Sequence, residues 1–334
     1  MKRYPLLHTK PVEWLYRKAS SIPMPGTKDV SLYAVLEFFI RKLGKSDLNT
    51  RASALSFTFF LALFPTTIFF FTLIAYMPLK YSHDEILFFI SAGLPPNVYD
   101  TIKDTLEDIL KNQRGGLLSI GFLSAVYFST NGFHSLMIQL NKFSHFSETR
   151  PFWKQRLVAI GLAIFVTFII LFSVLVLTTG TILISYLEKV KYFPSKTIPF
   201  LISSFTMLTV GLIVLGVVGA IYFFAPAKQR KWKFFSAGAV FASVVTLTTT
   251  YGFSQYVNHF NSYNKVYGSI GALIVIMMLI YINTFILLVG YELNIAIDLA
   301  LQQEHKNQAR RTKENKIVFL QDRQNEELKP QTEQ

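Results

Sequence analysis

The side chains able to do acid–base, nucleophilic or metal chemistry are few and scattered in this 334-residue chain. There is no cysteine, which removes thiol catalysis, disulfides, Cys-ligated zinc and iron–sulfur clusters together. The six histidines are His8, His83, His134, His145, His259 and His305, and no two stand at HxH or HxxxH spacing. A metal-dependent hydrolase or nuclease needs His and Asp/Glu converging on one or two ions. Only His134 lies well inside an uncharged run, and that run holds no acidic residue. H-E-x-x-H, G-x-S-x-G and P-loop patterns are missing as well. Ser53, Ser56 and Ser129 carry hydroxyls without an evident His–acid partner. The residues therefore point to a non-enzyme with no metal and no cofactor, a membrane-embedded hydrolase standing as the alternative.

What the chain has instead is polar residues inside apolar runs. Ser53, Ser56 and Thr67 recur near helical spacing in the first run, where Pro65 also removes a backbone hydrogen bond. Asn131, His134 and Gln139 lie in the second run and Asn283 midway along the sixth. Polar groups within a bilayer are costly unless paired or facing a cavity, so these side chains either line a polar cleft or tie helices together. Arg51 stands at the start of the first run and Glu292 just past the end of the sixth, where the two can pair as an inner gate or act as interfacial anchors. Gly268, with Ser269, Gly271 and Ala272, makes a small-residue side flanked by Tyr263 and Tyr267, suited to close helix contact or to an outer gate. Lys228, Arg230, Lys231 and Lys233 surround Trp232. Such a cluster gains about 1 kcal/mol per Lys/Arg beside anionic lipid, so anionic membrane lipids are the expected partner. Arg150, Lys154 and Arg156 beside Trp153 repeat the pattern.

The elements that must position these residues are legible from composition. The chain is 51% hydrophobic and only 16% charged, against about 25% charged in soluble domains. Its uncharged runs are 52–79, 115–141, 157–187, 197–227, 234–264 and 266–291. Each exceeds the roughly 20 residues a helix needs to cross a bilayer. The expected fold is all-α and polytopic, with six transmembrane helices at 52–79, 115–141, 157–187, 197–227, 234–258 and 266–291. Ahead of them, in the segment 1–51, residues 29–43 place Leu32, Leu36, Phe39, Ile40 and Leu43 on one face. That predicts an amphipathic helix at the inner interface, with Asp29 as cap and Gly44 as stop. Residues 84–113 read as a small extracytoplasmic helical cap with an acidic face. After the membrane domain, 52–297, the polar segment 298–334 reads as a frayed helix or a disordered tail. No cleavable signal is visible, so the first span is expected to direct targeting.

The net charge of +13 follows the same plan. Of 33 Lys/Arg, 18 fall in 1–51, 142–156 and 228–233, against 5 acids there, while the alternate loops carry 8 against 7. Short cytoplasmic loops hold the Lys/Arg excess, so both termini are expected in the cytoplasm. Membrane orientation accounts for the basic excess without a nucleic-acid partner.

Several pieces in order carry a family resemblance. They are Arg51-Ala52-Ser53-Ala54-Leu55-Ser56-Phe57 with Leu63-Phe64-Pro65; Ser119-Ile120-Gly121 with Ser129-Thr130-Asn131-Gly132 and Leu140-Asn141-Lys142; Tyr222-Phe223-Phe224-Ala225-Pro226 with Lys231-Trp232-Lys233 and Gly238-Ala239; Tyr263-Asn264-Lys265-Val266-Tyr267-Gly268-Ser269; and Gly290-Tyr291-Glu292-Leu293-Asn294. From about Leu32 to Ala296 the chain resembles the YihY/BrkB family of bacterial inner-membrane proteins, once labelled ribonuclease BN. It departs at Leu279-Ile280-Tyr281, where the family pattern has a Trp two residues before the Tyr. The resemblance implies a multi-pass protein of the bacterial inner membrane, with transport or flipping of a lipid or other amphiphile as the expected role. It supplies no catalytic residues. A non-catalytic envelope scaffold is the third class it leaves open, and the oligomeric state is unspecified.

Overall fold

The computed structural model describes residues 30–44, 46–76, 87, 99, 103–104, 106–108, 115–142, 148–189, 197–227, 234–259 and 261–327. Among them there is no strand, and the helices are α1 Leu32–Leu43, α2 Leu48–Tyr76, α3 Gly115–Lys142, α4 Phe152–Lys189, α5 Thr197–Phe224, α6 Ala237–His259 and α7 Asn261–Glu327. Among the described residues, each of the six uncharged runs overlaps one of α2 to α7. Among the described residues, four stretches are long and apolar enough to cross a membrane: Leu48–Leu73, Phe152–Gly180, Ile198–Phe224 and Leu273–Gln321. The helices α3 and α6 have 28 and 23 residues. Their polar side chains set them apart: Asn131, His134 and Gln139 in α3, and Thr246, Thr248, Thr249 and Thr250 in α6. The outer helical segment 84–113 falls mostly outside the described residues.

The chain divides into two compact units, one of residues 47–291 and one of residues 1–46 with 292–334. In the first, consecutive helices run antiparallel. Arg51 at the start of α2 bonds Gln139 near the end of α3, while a Cβ built on Gly121, near the start of α3, would sit 3.3 Å from the Phe69 backbone of α2. Glycine lets the two backbones come so near without a tight side-chain contact. Phe165 of α4 meets Phe224 of α5 with ring centroids 5.5 Å apart. The α6–α7 pair is antiparallel too, Gly238 lying against Gly290 and Thr250 bonding Asn283. The termini Arg51, Lys142, Phe152, Phe224, Ala237 and Tyr291 thereby collect at one end of this unit.

The outer surface of the unit is apolar. Ile120, Leu123, Ile164, Phe168, Leu171 and Phe200 are all at least 62% exposed. A protein dissolved in water rarely exposes so large an apolar face, whereas hydrocarbon imposes no such limit. Hydroxyls within the helices bond their own turns: Ser56 to the Ser53 carbonyl, Thr66 to Ala62 and Thr72 to Ile68. This satisfies them without a neighbour.

In the second unit, α1 is capped by the Ser31 hydroxyl, which accepts from the Ala34 N–H at 3.3 Å. The cap thus falls two residues after the Asp29 expected for it. Arg41 and Lys42 occupy the last turn, where cations complement the helix dipole. The α7 portion of this unit continues as helix to Glu327. Composition predicted a frayed helix or a disordered tail there; the described residues are helical, and helix formers (Gln, Lys, Arg, Glu, Ala, Leu) dominate residues 299–316, which hold no Gly or Pro.

Candidate functional site

Most of the polar chemistry of the 47–291 unit gathers around the last three turns of α3. The Arg51 side chain is 1% exposed, and its Nη2 donates to the Gln139 carbonyl at 2.6 Å. That carbonyl is one of the last four of α3, which lack a partner in their own helix. Asn141, 5% exposed, serves two further segments. Its Oδ1 accepts from the Ala227 N–H at 3.0 Å, and its Nδ2 donates to Glu148 at 2.8 Å. Glu148 in turn receives Nε and Nη2 of Arg150, each at 2.8 Å, and the Arg150 N–H at 3.0 Å. Arg150 Nη2 also donates to the Ala225 carbonyl at 2.9 Å. Asn141, Glu148 and Arg150 therefore pin the ends of α3 and α5 to the entry of α4.

Gln155, in the first turn of α4, extends this network. Its Nε2 donates to the Arg150 carbonyl at 2.8 Å, which turns its Oε1 toward His134 Nε2, 3.2 Å away. An amide oxygen only accepts, so His134 donates from Nε2. Arg156 Nη2 lies 3.4 Å from Asn131 Oδ1, and its guanidinium sits 5.7 Å from the centroid of the Phe152 ring. Phe152 also meets the His134 ring edge-on.

Burial alone would raise the proton affinity of Glu148. The hydrogen bonds and charge of Arg150, with the Asn141 amide, outweigh it and hold the carboxyl below its ordinary range. A group whose pKa is lowered on folding stabilises the fold above its unfolded pKa and loses that contribution as pH falls through the folded value. The thermal midpoint in detergent should therefore fall more steeply for the wild type than for Glu148→Gln between about pH 6 and about pH 3. Parallel profiles for the two proteins would refute this role.

The structure gives Asn131 and His134 neighbouring partners on α4. Asn283 bonds Thr250 of α6 instead, at 3.3 Å. Ser56 is buried and self-satisfied, and Pro65 sits half-buried within a helix that continues past it. Tyr267 and Gly268 fall within the backbone of α7, and their side chains lie outside the described set. The basic cluster Lys228, Arg230, Lys231, Trp232 and Lys233 lies outside the described residues altogether. Arg51 and Glu292 belong to different compact units, and each is described with its own neighbours. Glu292 is fully buried, and Lys42 of α1 comes within 4.0 Å of its carboxylate.

Sequence reasoning gave no site role to Lys42, Asn141, Glu148 or Gln155, and it grouped Arg150 with Lys154 and Arg156 as a basic cluster of the kind that meets anionic lipid. One signal was available: Glu148 is the only acid in the loop 142–156, two residues from Arg150.

Apolar helices of spanning length, joined at one end by a polar network, define a helical membrane protein. The chain belongs to the BrkB family: the model described as Virulence factor BrkB matches residues 39–315. It is similar to the ribonuclease-like protein YfkH of Bacillus subtilis (strain 168), 33% identical over 252 residues, 74% of this chain and 88% of the relative. It is also similar to a UPF0761 membrane protein of Pseudoalteromonas translucida, 26% identical over 215 residues, 63% of this chain and 67% of the relative. A third relative is a UPF0761 membrane protein of Histophilus somni (strain 2336), 24% identical over 289 residues, 83% of this chain and 95% of the relative. No solved structure matches the chain.

Proposed function

We propose that this membrane protein is a six-span protein of the bacterial inner membrane, with both termini cytoplasmic, that moves an anionic amphiphile, a lipid or lipid-like molecule, across or within the bilayer. The observation that carries the reading is the polar sector of α3. Thr130, Asn131, His134 and Asn141 fall within one sector of about 100° on a helix of 3.6 residues per turn, and two guanidinium groups, Arg51 and Arg156, reach the same helix. Polar and ionisable groups on a membrane helix are candidates for a substrate path, and guanidinium groups select carboxylate and phosphate. The orientation rests on the Lys/Arg excess of the loops at that end.

The test is purified protein in liposomes carrying fluorescent anionic and zwitterionic phospholipids, with inner-leaflet label protected from a membrane-impermeant quencher. The expected result is faster loss of protection for anionic lipid than in protein-free liposomes, slowed by Arg51→Gln. If no candidate amphiphile moves faster than in empty liposomes, with or without a proton gradient, the transport reading fails. Release of a cleaved product in the same assay would favour the hydrolase class instead.

A further inference from the structure

We infer that Arg156 is the headgroup site of a bound anionic phospholipid, its guanidinium taking the phosphate and the α4 ridge beyond it taking an acyl chain. The guanidinium is half-buried and held in place by neutral groups, the Asn131 side-chain oxygen and the Phe152 ring. Among the described residues no carboxylate comes within 4.0 Å of it. Arg150, six residues earlier, shows the contrast: its fork is filled by Glu148. The Asn131 contact, at 3.4 Å, uses one Nη at long range, which leaves most of the planar donor fork for a phosphate.

What lies beyond Arg156 commits the site to a lipid rather than a free anion. Ile160, Ile164, Phe168 and Phe172 follow at four-residue intervals, forming one ridge of α4. They are exposed by 39%, 66%, 64% and 56%. From Arg156 to Phe172 the ridge runs about 24 Å at 1.5 Å per residue, enough to cover the half-thickness of a hydrocarbon core of about 30 Å. On the other side of the guanidinium stands Trp153, 77% exposed, an indole of the kind that sits at headgroup level. A cation with no carboxylate within 4.0 Å among the described residues thus heads an apolar ridge long enough to cover one leaflet. The inference deepens the transport reading by naming the headgroup, and it rests on that reading only for the claim that the bound lipid is the one moved.

The experiment is native mass spectrometry of the full-length protein released from detergent containing equal phosphatidylglycerol and phosphatidylcholine. The wild type should retain phosphatidylglycerol over phosphatidylcholine about tenfold, and Arg156→Gln should bring the ratio near unity. Lys154→Gln removes the same formal charge from an exposed position two residues away, on a different side of α4, and should leave the ratio unchanged. Arg156→Lys keeps the charge and loses the fork, and should lower the ratio about threefold. Full retention of the preference in folded Arg156→Gln or in Arg156→Lys, or an equal loss in Lys154→Gln, overturns the site. Displacement of the lipid by millimolar inorganic phosphate overturns the lipid assignment in favour of a free-anion site. Selective binding without accelerated flipping upholds the site and defeats the transport reading alone.

Discussion

Replacing Glu148 with alanine is expected to lower the unfolding free energy by about 2–4 kcal/mol, the scale for removing one partner of a largely buried, hydrogen-bonded ion pair. The side chains of Glu148 and Arg150 are only 18% and 17% exposed. Without the carboxylate, Arg150 keeps the Ala225 carbonyl but loses both arms of its fork, and the Asn141 amide loses its acceptor. The Arg150→Ala change strands the carboxylate instead. Because each single variant leaves an uncompensated charge, the double variant should be more stable than the sum of the two losses implies, by about 1 kcal/mol or more. Denaturant unfolding in mixed micelles measures all four proteins. A double variant whose loss equals that sum would show that the two residues act independently, contrary to the geometry.

The second large effect belongs to Gly290. A Cβ there would lie 2.6 Å from the Ala242 Cβ, 2.6 Å from the Tyr222 hydroxyl and 2.8 Å from the Gly238 carbonyl. Two of these neighbours are not flexible side-chain ends, so α6 and α7 must separate or shift. Gly290→Ala should therefore cost about 1–3 kcal/mol, the range for overpacked interiors. The Tyr222 hydroxyl donates to the Leu287 carbonyl one turn away, so the displaced ring also loses a bond. Adding Tyr222→Phe to Gly290→Ala should recover part of the loss and no more, because the Gly238 backbone remains in place. A Gly290→Ala protein as stable as wild type would mean that the helices are less closely apposed than described.

The gap between sequence and structure is instructive at particular residues. Asn131, His134 and Asn283 are polar residues in apolar runs, which by sequence either wall one cleft or tie helices together. Their partners differ: Arg156 and Gln155 on α4 for the first two, Thr250 on α6 for the third. Periodicity tells which face of a helix a residue occupies, but not the register of the helix opposite. Arg150 and Arg156 looked alike as loop-end cations. One is neutralised by Glu148 and the other stands over Phe152, a difference set by the turn at Glu148–Pro151 that hydropathy does not encode. Pro65 removes one backbone hydrogen bond, and α2 runs through it from Leu48 to Tyr76, since within a bundle neighbouring groups can absorb one lost bond.

The helical class, the positions of the long apolar helices and the asymmetry of their loops were determined by the sequence alone, because hydropathy and charge accumulate along the chain whatever its tertiary contacts. The tertiary structure alone decided which polar groups meet: Arg51 with Gln139, Asn141 with Glu148 and Ala227, His134 with Gln155, Lys42 with Glu292. The physical reason is range. Partition into hydrocarbon sums over some twenty residues and tolerates error in any one. A hydrogen bond needs two atoms from distant segments within about 3 Å, and only the packed register of the helices brings them there.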